Sequence, residues 1–329
     1  MNNTPLISVI IPAYNTRDVI EKTLKSIEEQ TYQNYQIIII DDGSTDDTGI
    51  FIDEYQQKNA KIIVYHQNNS GVSVARNNAL KYASGEFICF LDSDDTYESS
   101  FFEKMLIRQQ QTDFDIVYCG FYRVKKNKSI KEYLSFEEGN ILNSFIKKSF
   151  HISGMLIKRS FLLDKNITFD TDLKICEDIF FTIKAISQCE VAVVKDHLFN
   201  YLYREKSVTN SIATIELYLQ NIVTWERIEY YLKHNYIKND KEEIYQRVQS
   251  IVVKLKVRLL IEYLKQFNYK KIYYYLNKDL KFTSDMKLVN KKYLPKSDIK
   301  KMNIIKSNCL AIWFWGSLYY RYIRRETGK

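Results

Sequence analysis

Ile37-Ile38-Ile39-Ile40-Asp41-Asp42-Gly43-Ser44-Thr45-Asp46 decides the fold. Four consecutive β-branched residues favour a strand, and an apolar run without alternation belongs to a strand covered on both faces. The acids, glycine and hydroxyls that follow end it abruptly. On one side, Leu6 to Ile11 reads as a strand ended by Pro12, and 17–30 has helical spacing at Val19, Ile20, Leu24 and Ile27. On the other, the pattern predicts a helix to Lys58, a strand at Lys61 to Tyr65, a helix at Val72 to Tyr82 and a strand at Phe87 to Leu91. A helix over 99–110 and a strand at Asp115 to Gly120 follow, then helices near 141–148 and 178–187 and a strand at 190–195. This alternation predicts an α/β fold with a mostly parallel central sheet. Tyr14 and Asn15, Asp41 and Asp42, Asn69, and Asp92 to Asp95 all stand just past strand ends. In open α/β sheets that rim binds ligands.

Composition narrows the class. The 329 residues are 45% hydrophobic and 27% charged with only 3 Pro and 9 Gly, which excludes collagen and global disorder. Five scattered cysteines without a CxxC pair, and four histidines, argue against a disulfide scaffold or a Cys/His metal centre. Charge is uneven. Residues 1–210 carry 24 Lys+Arg against 29 Asp+Glu, whereas 211–329 carry 24 against 11. The expected organisation is a domain at 1–210 and a mainly helical, basic one at 211–329. The basic segment suits nucleic acid, an anionic membrane face or an anionic polymer, or is simply a solvated surface. The N-terminus lacks a signal-like pattern, and the apolar run from Cys309 to Tyr320 is shorter than the ~20 residues of a spanning helix. The expected location is cytoplasmic, at the inner face of the plasma membrane if lipid is the partner.

Two acidic clusters carry the chemistry. Asp92 and Asp94, one residue apart in a loop, can face one Mg²⁺ or Mn²⁺ ion. Asp and Ser are also ordinary turn residues, and Asp95 or Thr96 can cap the next helix. One carboxylate of Asp41-Asp42 can accept from a base or ribose, or the pair caps a turn. No Walker sequence and no GxGxxG fingerprint is present, which disfavours P-loop hydrolysis and nicotinamide chemistry.

In order along the chain stand Val9-Ile10-Ile11-Pro12-Ala13-Tyr14-Asn15, Asp41-Asp42-Gly43-Ser44-Thr45-Asp46, Asn69-Ser70-Gly71-Val72-Ser73-Val74-Ala75-Arg76-Asn77, Asp92-Ser93-Asp94-Asp95 and Glu177-Asp178. The set resembles family 2 glycosyltransferases, densely over about 6–95 and more thinly to about 210. The resemblance implies a GT-A nucleotide-sugar-binding fold, a UDP-sugar donor and a Mn²⁺ or Mg²⁺ cofactor. It implies that Tyr14 lies on the base, with Pro12 and Ala13 shaping that pocket and Asn15 beside them. Asp42 is then the acceptor for the base, and Arg76 sits by the donor phosphates or orders the metal loop. Asp92 lies near the donor sugar and ribose with Ser93 beside it, and Asp94 is the main metal ligand. Asp178 is the base for the acceptor hydroxyl, with Glu177 next to it; acids also favour a helix N-terminus in any case. Arg204 belongs to a segment that can close over the pyrophosphate, or is a surface ion-pair partner.

Processive, membrane-embedded members carry Gln-x-x-Arg-Trp and several spanning helices, neither of which this sequence has. The resemblance therefore implies addition of a single hexose or N-acetylhexosamine, with inversion, to a glycan, lipid-linked or polymer acceptor in bacterial surface polysaccharide assembly. Two other classes compete: a non-catalytic sugar-nucleotide-binding scaffold, and a nucleic-acid-binding protein that uses the basic region. His151 and His197 can face an acceptor cleft or be structural. Near the C-terminus, lysines precede Trp313, Phe314, Trp315, Leu318, Tyr319 and Tyr320. This suits an anionic membrane surface, a homo-oligomer interface or core packing.

Overall fold

The computed structural model describes residues 4–125, 128–131, 136–203 and 214–323. The chain divides into two compact units, 1–211 and 212–329.

In the first unit nine strands among the described residues form one sheet. They are β1 (Ile7–Ala13), β2 (Tyr35–Asp41), β3 (Ile62–His66), β4 (Phe87–Phe90), β5 (Thr96–Tyr97), β6 (Ile116–Lys125), β7 (Lys128–Lys131), β8 (Met155–Lys158) and β9 (Val191–Leu202). The order is β3-β2-β1-β4-β8-β6-β9-β5, with β7 paired to β6. The strands β1 to β4 pair in parallel, as do β6 and β9; β8 runs antiparallel to both neighbours. The helices are α1 (Ile20–Glu28), α2 (Thr48–Lys58), α3 (Val72–Tyr82), α4 (Phe101–Thr112), α5 (Leu142–Lys147), α6 (Arg159–Asp164) and α7 (Glu177–Ile186). Ile37 to Ile40 are buried and β1 is buried along its whole length, as expected of strands covered on both faces.

Several elements depart from the sequence expectation, among them β7, α6 and the extension of β6 to Lys125. The strand at 155–158 has too few residues to show a period. The strand read as 190–195 continues to Leu202. Exposed Lys195 and Asp196 interrupt its apolar pattern, and a register shift opposite Cys119 to Phe121 absorbs the break before Leu198 and Phe199 return to the core. Thr96–Tyr97, read as a cap region, forms a two-residue strand against β9.

The second unit is helical: α8 (Ile215–Asn235), α9 (Lys241–Lys265), α10 (Tyr269–Asn277), α11 (Leu280–Leu288), α12 (Lys296–Lys306) and α13 (Leu310–Leu318). Thr214 Oγ1 caps α8 by accepting from Leu217 N at 3.2 Å. Val253, Val257, Leu260 and Leu264 recur at helical spacing on α9 and are buried together with Trp313. No helix among the described residues is long and apolar enough to cross a membrane.

Candidate active site

The loops at the C-terminal ends of β1, β2 and β4 and the N-terminus of α3 enclose a cavity of ≈ 550 Å³. Pro12, Ala13, Tyr14, Asp42, Arg76, Asp92, Ser93, Asp94 and Glu177 all line it. Residues 165 positions apart thus line one cavity: Pro12 from the C-terminal edge of the parallel strands and Glu177 from the start of α7.

The β1 end is set by Pro12 and Ala13, which pair with Ile40 and Asp41. Tyr14 stands at the rim and is 48% exposed, so its ring offers an open face to a base-sized ligand. Asn15 is not brought into the cavity. It adopts φ 51, and its Oδ1 accepts from Thr45 N at 2.7 Å, which ties down the 44–46 loop. An amide side chain tolerates that left-handed backbone better than most, which accounts for Asn here without a ligand.

Asp42 is buried and held by the loop opposite. Its Oδ1 accepts from Gln67 Nε2 and Ser70 N, both at 2.7 Å, and Oδ2 accepts from Gly71 N at 2.8 Å. These bonds set where α3 begins. Gly43, at φ +74, makes the approach possible: a Cβ there would lie 2.8 Å from Asn69 N.

Arg76 is the hub. Its side chain is 4% exposed; Nη2 donates to Asp92 Oδ1 at 2.7 Å and Nη1 to Glu177 Oε1 at 3.0 Å. Burial opposes its charge, but Asp92, Glu177 and Asp178 together hold its pKa above the ordinary value. Asn77, next on α3, brackets the backbone of Phe169, donating to its carbonyl at 2.8 Å and accepting from its N–H at 2.9 Å. The Phe169 ring stacks on Phe181 at 4.1 Å, which fixes α7 against this loop. Glu177 and Asp178 open α7 directly after Cys176, whose φ of 56 is a strained conformation for a non-glycine residue.

The acids titrate differently. Burial raises Asp92, but Arg76 and then His151 outweigh it and leave its pKa below the usual carboxylate range. Glu177 is raised by burial and by Asp178, with Arg76 pulling the other way. Asp178 is raised by burial against the pull of Arg76, and Asp92 adds to the rise. A carboxylate moved towards neutral pH is a better proton acceptor than an ordinary one. Asp178 sits beside Glu177, on the side of α7 that feels both Arg76 and Asp92.

The sequence reading took Asp95 for a turn residue and left His151 open. Ligand atoms of Asp92, Asp95 and His151 lie within 4.8 Å of one another. Asp95 Oδ1 accepts from Leu202 N at 2.8 Å. Burial pushes the His151 pKa down, so the ring is neutral and has a lone pair to offer. His151 stacks on Phe199 at 5.1 Å, which its place in the sequence did not reveal. His197 stands away from the cavity between Tyr122 and Phe136. Arg204 lies outside the described residues.

A family model described as "Glycosyl transferase family 2" matches residues 8–171. The chain is 32% identical over 225 residues to the Bacillus subtilis (strain 168) protein "Uncharacterized glycosyltransferase EpsJ", covering 64% of each chain. It is 45% identical over 121 residues to "Putative teichuronic acid biosynthesis glycosyltransferase TuaG" of the same strain, covering 36% of this chain and 48% of that one. The matches thus span under two thirds of these relatives' length. The crystal structure of S. aureus TarS 1-349 in complex with UDP-GlcNAc superposes with a TM-score of 0.67 at 21% identity, over 98% of this chain and 92% of that one. That likeness establishes the GT-A-type fold followed by a helical region.

Proposed function

This chain belongs to glycosyltransferase family 2 through residues 8–171, and from that premise we propose that it transfers one sugar from a UDP-sugar to a hydroxyl of a surface-glycan acceptor. The observation that carries the reading is the Arg76 bridge, which joins Asp92 at the end of β4 to Glu177 at the start of α7. Asp92, of lowered pKa, and Glu177 line the cavity on either side of this bridge, and Asp178, of raised pKa, stands next to Glu177 at the start of α7 without lining the cavity itself. Environments that push carboxylates apart are the mark of divided catalytic labour.

In the proposed reaction the acceptor oxygen attacks the anomeric carbon as the bond to the diphosphate oxygen breaks. The hydroxyl proton passes to the Asp178 carboxylate, and UDP departs with the electron pair. A single base and attack opposite the leaving group give inversion. Tyr14 stacks on the uracil, Pro12 and Ala13 floor that pocket, and Asp42 keeps the loop that closes its side. Arg76 orients Asp92 and Glu177 rather than touching the sugar.

Asp92 and Asp95 supply carboxylate oxygens and His151 an imidazole nitrogen within 4.8 Å of one another, a donor set that fits Mn²⁺, and by its oxygens Mg²⁺. Such an ion, when bound, neutralises charge on a departing diphosphate. Asp94 lines the cavity and is the ligand proposed to face that diphosphate.

The acceptor proposed is a glycan, lipid-linked or polymer chain of the bacterial surface, in line with the teichuronic acid biosynthesis in the name of TuaG. The first donor to try is UDP-GlcNAc, because TarS was crystallised with it. A donor screen that measures released UDP, with Asp178→Asn as control, tests the reading. No UDP release above that control from any nucleotide sugar and acceptor extract would overturn it.

For the helical unit we propose contact with an anionic bilayer. The structure separates the two tryptophans that the sequence left together: Trp313 is 2% exposed in the core and Trp315 is 69% exposed. Leu310, Phe314, Tyr319 and Tyr322 are exposed as well, with Arg321 over the Tyr322 ring. Aromatic side chains beside cations, on a unit of net positive charge, complement an anionic headgroup layer.

A further inference from the structure

The helical unit holds a cavity of its own, ≈ 360 Å³, lined by Tyr218, Arg258, Glu262, Lys265, Lys301 and Tyr320. Arg258, Glu262 and Lys265 come from one stripe of α9. Its charge is lopsided. Glu262 is occupied by Lys265 at 2.7 Å. Behind the wall, the buried Asp298 accepts from Lys301 Nζ at 2.7 Å and stands 3.6 Å from Arg258 Nη2. Lys254, one turn before Arg258 on α9, adds a fourth cation. Burial lowers its pKa, and Arg258 and Lys301 crowd it further. One carboxylate and three cations therefore line the cavity, with Asp298 and Lys254 close behind. Among the described residues, Asp298 is the sole ion-pair partner of Arg258, and it stands beyond hydrogen-bonding distance. A guanidinium presents several N–H donors in a planar fork that matches phosphate oxygens.

The volume says more. Small-molecule pockets run from about 300 Å³ upward, so this cavity exceeds what a bare phosphate needs. The rings of Tyr218 and Tyr320 and the side chain of Ile261 supply apolar wall beside the cations. That pairing fits a phosphate group attached to a small carbon skeleton.

We propose that this cavity is an anion site for phosphate esters of a small polyol or sugar, with the Arg258 fork on the phosphate and Lys265 and Lys301 flanking it. A polyol-phosphate polymer and a phosphoglycerol lipid headgroup share that chemistry. The site lies within the helical unit and stands independently of the transfer reaction.

The test is calorimetric titration of the full chain, saturated with UDP so that the donor cavity is filled, with sn-glycerol 3-phosphate. Binding that weakens as salt rises is expected. Arg258→Gln should lower affinity about tenfold or more, as loss of a charge-assisted bond implies, with UDP affinity unchanged. Lys265→Gln, at a residue 37% exposed in its side chain and so tolerant of change, should weaken it in the same direction. A parallel arm uses phosphatidylglycerol vesicles. Vesicle binding displaced by soluble glycerol phosphate and lost in R258Q assigns the headgroup. Glycerol phosphate binding without any vesicle binding assigns the polymer. Absence of glycerol phosphate binding, or equal binding by both variants, overturns the site.

Discussion

Replacing Arg76 by Met keeps a side chain of similar length and removes the charge that pairs with Asp92 and Glu177 and pulls on Asp178. The Arg76 side chain is 4% exposed, with Asp92 at 30% and Glu177 at 13%, so water screens little of the loss. Breaking a buried pair by deleting one partner costs about 3–5 kcal/mol. For a unit of this size each kcal/mol shifts Tm by about 2–4 °C, so the drop should be roughly 6–20 °C. Linkage gives the pH dependence. Glu177 and Asp178 already bind protons more tightly folded than unfolded, and Arg76 pulls both pKa values down. Without it both folded values climb further. The folded state then holds protons that the unfolded state has released, so stability falls as pH rises through that window. Asp92, lowered in the wild type, also loses its stabilising contribution above its unfolded pKa. The R76M deficit should therefore be largest near pH 8 and shrink towards pH 5. Calorimetric scans of the full chain across that range measure it. A deficit below about 1 kcal/mol, the scale of a surface ion pair, and equal at every pH would refute the reasoning.

Asp178→Asn should leave UDP-sugar affinity intact and lower turnover by about 10²–10⁴, the usual worth of a positioned base; equal losses in affinity and rate would make Asp178 a binding residue. Tyr14→Ala should weaken UDP by about 1–3 kcal/mol in a titration, if the ring stacks on uracil. Turnover should vanish in EDTA and return with Mn²⁺, and Asp94→Ala should abolish it in a folded chain; full activity of D94A would remove Asp94 from the metal. Trp315→Ser with Phe314→Ser should reduce co-sedimentation with anionic liposomes without changing Tm, since both rings are exposed; a change in oligomeric mass instead would assign the face to self-association.

Much of this was legible in the sequence because its signals are local. Apolar runs of β-branched residues marked β1 and β2, and the acids after them marked the rim. What stayed hidden depends on residues distant in the chain. Asn15 and Asp42 look alike as polar strand-end residues, yet one clamps a loop and the other anchors α3. His151 carries no motif, and only the fold of the 150–155 segment brings it to Asp92. In the second unit only the long helices α8 and α9 showed in their spacing, at Ile215, Leu219 and Ile222 and at Val253, Val257, Leu260 and Leu264. Which face of α13 is buried did not, because that helix is apolar on every side and only its neighbours choose between Trp313 and Trp315.

The bond from Arg76 to Glu177 spans 101 positions of chain, whereas that to Asp92 spans 16. During synthesis, then, β1 to β4 can assemble while Arg76 has met only the nearer acid. Loop closure over the longer span must wait until α7 has left the ribosome, and long-range contacts form late in any case. Residues 8–171 stop six short of the second acid. A fragment cut there keeps the residues of β1 to β4 and leaves Arg76 with Asp92 but without Glu177. The proposed base next to Glu177 therefore joins the cluster only once α7 has been made, after the strand edges that build the rest of the cavity.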